Sequence, residues 1–81
     1  MDIAVEMSLY PLRADYIPTI QAFIDQMNSH QDIRVESNAM STQVMGEFET
    51  VMAAVQLCLR SFYEQNEGKG ILVAKFLGPM D

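Results

Sequence analysis

The chain has 81 residues, 49% of them hydrophobic and 20% charged, with a formal net charge of −6. That length supports one two-layer domain over residues 1–81 rather than two separate cores, because burial falls off as a domain shrinks. The negative charge repels phosphate backbones and anionic surfaces, so nucleic acid and membranes are excluded as expected partners. No apolar run approaches the roughly 20 residues that cross a bilayer. Residues 1–6 carry acids within their apolar stretch and lack the basic start of a secretory signal. Cys58 is the one cysteine and has no disulfide partner. The expected location is therefore cytoplasmic.

Over residues 3–10, Ile3, Val5, Met7 and Leu9 alternate with Ala4, Glu6, Ser8 and Tyr10. This predicts a half-buried strand ended by Pro11. Asp15 is placed to cap a helix whose first turn accommodates Pro18. Ile17, Ile20, Phe23, Ile24 and Met27 then recur at helical spacing up to about Ser29, which predicts one core-facing stripe. Residues 33–37 and 42–46 read as two short strands joined through Asn38 and its neighbours, an antiparallel hairpin. Glu47 and Glu49 suit a helix N-terminus, and Phe48, Val51, Met52, Val55, Leu59 and Phe62 form its apolar stripe. Gly68 and Gly70 end that helix, and residues 71–77 supply a last strand stopped by Gly78 and Pro79.

The order is β-α-β-β-α-β. Right-handed crossovers with both helices on one face predict an α+β ferredoxin-like two-layer sandwich with antiparallel sheet order 4-1-3-2. The other sheet face is left bare and carries Tyr10, Ile71 and Val73. Such an exposed patch predicts association of like chains.

Catalytic constellations are missing from the sequence. One Cys, one His and no Gly-rich phosphate loop leave no familiar metal or nucleophile motif. Cys58 falls on an apolar helix face and reads as a small buried hydrophobe. His30 follows the first helix, where an imidazole serves the last carbonyls. Most of the seven methionines fall on core stripes, Met40 being the exception.

Topology offers a better clue. The first strand ends at the same sheet end as the turn between the second and third strands, so Ser8, Tyr10, Asn38, Ser41 and Thr42 converge. Glu6 lies further down the first strand and points to the bare face. A carboxylate, hydroxyls, an amide and an aromatic ring suit a neutral or cationic heteroaromatic ligand. The same residues also suit a plain turn, with Glu6 solubilising the sheet.

The segments Glu6-Met7-Ser8-Leu9-Tyr10-Pro11-Leu12, Tyr16-Ile17-Pro18, Asn38-Ala39-Met40-Ser41-Thr42 and Gly46-Glu47 resemble the pattern of YkoF-like proteins, part of a wider family of small thiamine-binding domains. The resemblance covers nearly the whole chain. It implies a ferredoxin-like fold and no enzymatic activity; separately, no cofactor is expected. It also implies binding of thiamine or its hydroxymethylpyrimidine moiety near Glu6, Ser8, Tyr10, Asn38, Met40, Ser41 and Thr42. Association through sheet faces, as a homodimer or homotetramer, is implied as well. The family's better known form carries two such domains in tandem, so a site shared between domains would here involve a second copy. The rival expectation is a structural or regulatory ferredoxin-like module with no small-molecule ligand. A small acylphosphatase on the same fold fits worse, because Tyr10-Pro11-Leu12 stands where its Gly-rich, Arg-containing phosphate cradle belongs.

Overall fold

The computed structural model describes residues 1–12, 16–65 and 69–80. The elements run β1 (Asp2–Pro11), α1 (Tyr16–Asn28), β2 (Arg34–Ser37), β3 (Thr42–Glu47), α2 (Phe48–Gln65) and β4 (Gly70–Leu77). All strand pairs are antiparallel and the sheet order is β2-β3-β1-β4. That is the expected 4-1-3-2 order read from the other edge, and with two helices it makes an α+β, ferredoxin-like sandwich. Asp15 and Gly68, expected to cap and to stop helices, lie outside the described residues. No described helix is long and apolar enough to cross a membrane.

Alternation along β1 decides which side of the sheet is buried. Ile3, Val5 and Met7 are 5%, 1% and 2% exposed and meet Val44 of β3, Phe23 and Met27 of α1, and Val51, Val55, Cys58 and Phe62 of α2. At about 25 cal/mol per Å² of apolar surface removed from water, this layer is the main source of stability. Cys58 is fully buried, with its thiol 3.9 Å from Met27 Sδ, and burial pushes the thiol pKa up. It behaves as a small apolar core group.

α2 starts where β3 stops because Glu47 serves both. It is the last residue of β3, and its Oε2 accepts the Thr50 N–H at 3.0 Å and the Thr50 hydroxyl at 3.2 Å. This N-cap geometry answers one of the orphan donors of the first turn and holds the Glu47 carboxyl below its ordinary pKa. At the end of α1 the carbonyl of Met27 accepts from the backbone N–H of His30 at 3.2 Å, so the backbone supplies the contact expected of the imidazole.

One residue of the expected α1 stripe departs from it. Phe23 and Met27 are buried and Ile20 and Ile24 partly so, whereas Ile17 is 69% exposed. Helical periodicity puts Ile17 on the same side as Ile24, seven residues later. It sits in the first turn, however, and nothing in the described fold covers it there.

Candidate functional site

β1 outruns β3. Their register ends at Met7 opposite Thr42, while β1 continues against β4 to Pro11 opposite Gly70. The chain between β2 and β3 therefore turns beside the last residues of β1, and the first half of α1 crosses the same end. Between these three elements lies a cavity of about 460 Å³. Its floor is Met7, Leu9, Ile20, Phe23 and Ile24, and Tyr10, Tyr16 and Met40 also line it. The size falls within the roughly 300–1,000 Å³ typical of small-molecule sites.

The turn is held by its own side chains. Asn38 Oδ1 accepts the backbone N–H groups of Met40 at 2.7 Å and Ser41 at 3.0 Å, and Asn38 N–H donates to the Ser41 carbonyl at 3.0 Å. This is the local bonding that favours Asn in turns. The Ser8 hydroxyl donates to the Met40 carbonyl at 3.3 Å, and the Ser41 hydroxyl donates to Glu6 Oε2 at 3.2 Å. Thr42 is buried, its hydroxyl 3.1 Å from that of Ser37.

The expected site residues therefore divide. Ser8, Tyr10, Asn38, Met40, Ser41 and Thr42 all line the cavity. Glu6 does not: it lines a smaller hollow of about 280 Å³ on the open sheet face with Ala4, Gln43 and Lys75. Its other oxygen lies 3.6 Å from Lys75 Nζ, in a solvent-exposed pair of small energetic weight. Glu6 reaches the cavity through Ser41. Sequence reasoning missed Tyr16, Ile20, Phe23 and Ile24 as cavity residues. Their helical spacing signals an inward face but gives no sign that the space beneath them is unfilled.

On the open face Tyr10 pairs with Ile71 and Ser8 with Val73. Tyr10, Ile71, Val73 and Leu77 are each about half exposed or more, the apolar patch expected there. Among the described residues no three His, Cys, Asp or Glu side chains gather to hold a metal ion.

Several solved structures share the fold. A protein from Thermotoga maritima, named as a candidate thiamine biosynthesis/salvage protein, superposes with a TM-score of 0.84 at 21% identity, covering 98% of this chain and 85% of its own. A hypothetical protein from Methanocaldococcus jannaschii gives 0.82 at 20% identity, covering 99% and 82%. A protein from Streptococcus pneumoniae gives 0.75 at 19% identity, covering 99% and 90%. No curated protein matches the sequence. The model of the YKOF-related family matches residues 2–73, which takes in β1, the turn, both helices and the whole cavity lining. The chain belongs to the YKOF-related family.

Proposed function

We propose that this chain binds thiamine or its hydroxymethylpyrimidine moiety in the cytoplasm and catalyses no reaction on it. The observation that carries the reading is the cavity of about 460 Å³, apolar beneath and ringed by Tyr10, Tyr16, Asn38 and Met40. A flat heteroaromatic ring loses little by entering an apolar slot if aromatic or thioether groups cover its faces and a few polar groups meet its edge. Membership of the YKOF-related family supports it, as does the fold shared with the Thermotoga protein, whose name connects it to thiamine. Within the site, Tyr10 and Tyr16 cover the ligand, Asn38 and Ser41 hold the turn that closes it, and Ser8 ties that turn to β1.

Calorimetry with thiamine and with hydroxymethylpyrimidine tests the reading. Both should bind, and Tyr10→Ala should weaken each by about threefold to tenfold, the loss of an aromatic contact worth about 0.5–1.5 kcal/mol. Heat from neither ligand would leave the structural module as the better account.

The same reading includes a homodimer or homotetramer formed through the open sheet face. The exposed Tyr10, Ile71, Val73 and Leu77 motivate it, since apolar surface gathered on one face gains by being covered. Sedimentation should show a species larger than 9.1 kDa at micromolar concentration. Val73→Asp should shift it toward monomer by placing an unpaired charge in the contact. A wild-type monomer ends the idea.

A further inference from the structure

The pairing of β1 leaves one residue with a donor and an acceptor aimed into the cavity. Residues of an antiparallel strand direct N–H and C=O alternately to the two neighbouring strands. Two hydrogen bonds fix the alternation here. Phe48 N–H donates to the Met1 carbonyl at 2.8 Å on the β3 side, and Leu12 N–H donates to the Lys69 carbonyl at 2.9 Å on the β4 side. The registers between these points run without a bulge. Odd-numbered residues of β1 therefore face β3 and even-numbered residues face β4. The hairpin agrees: the Asn38 to Ser41 bond turns those two toward each other, which turns Thr42 toward Met7.

Met7 is answered by Thr42, but Leu9 is not answered by β3, which has already stopped. Continuing the register would bring Met40 opposite Leu9. Met40 is engaged elsewhere, its N–H on Asn38 Oδ1 and its carbonyl accepting from Ser8 Oγ. Among the described residues no partner meets the Leu9 N–H or C=O, and both Leu9 and Met40 line the cavity. A half-buried backbone pair left in this state is stabilised by whatever fills the slot.

Resting on the binding reading above, we infer that the Leu9 backbone reads the 4-aminopyrimidine edge of the ligand. The Leu9 N–H donates to the ring nitrogen, and the exocyclic amine donates to the Leu9 carbonyl. An aminopyrimidine presents an acceptor beside a donor, the complement of what an extended residue offers and the same exchange that Met7 makes with Thr42. A ring held this way lies close to the plane of the sheet. One face meets Phe23 and Ile24 of α1 with Tyr16 beside them, and the other meets Tyr10 and the turn, which Ser8 and Ser41 fasten to the open-face side. Serine hydroxyls rotate and carboxamides flip to suit a ligand, but a strand backbone does neither. The specificity is accordingly fixed in the fold.

The probe is the 4-oxo analogue of thiamine, in which the amine becomes a carbonyl and the ring nitrogen carries a proton. Shape is kept and both hydrogen-bonding senses are reversed, so N–H faces N–H and C=O faces C=O. Calorimetry should show thiamine and free hydroxymethylpyrimidine binding, with the 4-oxo analogue about a hundredfold weaker or more. In ¹⁵N-labelled protein the Leu9 amide should move on adding either amino ligand and gain protection from exchange. Equal affinity for thiamine and its 4-oxo analogue, or an unmoved Leu9 amide in the saturated complex, overturns the backbone reading and leaves thiamine binding standing. No binding by any of the three overturns the function and this inference with it.

Discussion

The two ends of the sheet each carry a hollow of similar size, about 460 Å³ beside the β2–β3 turn and about 400 Å³ at the opposite end. Each is overlapped by the start of a helix, α1 in one case and α2 in the other. Their linings differ in kind. The far hollow is formed by Met1, Ile3, Phe48, Met52, Phe76, Leu77, Gly78 and Pro79, with no hydroxyl, amide or charged side chain among them. Its backbone is also answered on both sides of β1: the Met1 carbonyl takes the Phe48 N–H, and the Asp2 carbonyl takes the Met80 N–H at 2.7 Å. The turn end has Ser8, Asn38 and two tyrosines around it and a strand edge that β3 leaves unanswered. Volume alone does not separate the two hollows. Directional groups with nothing opposite them do.

The largest expected effect sets one phenylalanine from each end against the other. Phe23 is 5% exposed and forms both floor and core, whereas Phe76, in the far hollow, is 54% exposed. Phe23→Ala should cost about 3–5 kcal/mol through lost transfer energy and the cavity it leaves. Phe76→Ala should cost about 1 kcal/mol or less, since roughly half of that side chain is already in water. Urea unfolding of both variants measures this. Equal losses would mean that the far hollow is as much part of the core as the turn end, and the contrast would collapse.

Much of this arrangement is legible in the sequence. The alternation of Ile3, Val5 and Met7 with Glu6, Ser8 and Tyr10 gives the two faces of β1, and element order gives the sheet. Strand direction then brings Tyr10 and Asn38 to one end. The position of Glu6 was legible too. Its parity with Ser8 and Tyr10 puts it on the open face, and it lies two residues further from the sheet end than Ser8. What a sequence pattern does not carry is the length by which one strand outruns its neighbour. That mismatch depends on where the hairpin turns, and it is what leaves Leu9 facing the cavity. Nor does periodicity distinguish Phe23, which packs, from Ile17, which the fold leaves uncovered, since both sit at inward helical spacings.

The smallest expected effect separates contact from field at Glu6. If its carboxylate gripped the ligand, Glu6→Gln would remove a charged hydrogen bond worth roughly 1.5–3 kcal/mol, a loss of about tenfold or more for any aminopyrimidine. The geometry argues for less. Glu6 does not line the cavity, and its link to the site is the Ser41 hydroxyl, a donor that the glutamine carbonyl accepts as well. What remains is the charge, acting on cationic thiamine through water. Two unit charges about 7 Å apart in a high dielectric interact by only about 0.6 kcal/mol, a factor of about three. Glu6→Gln should thus weaken thiamine about threefold at low salt, less as salt rises, and leave neutral hydroxymethylpyrimidine unchanged. Calorimetry on both ligands at two ionic strengths reads the difference. A tenfold loss for the neutral ligand would put Glu6 in contact with the pyrimidine and move the site toward the open face of the sheet.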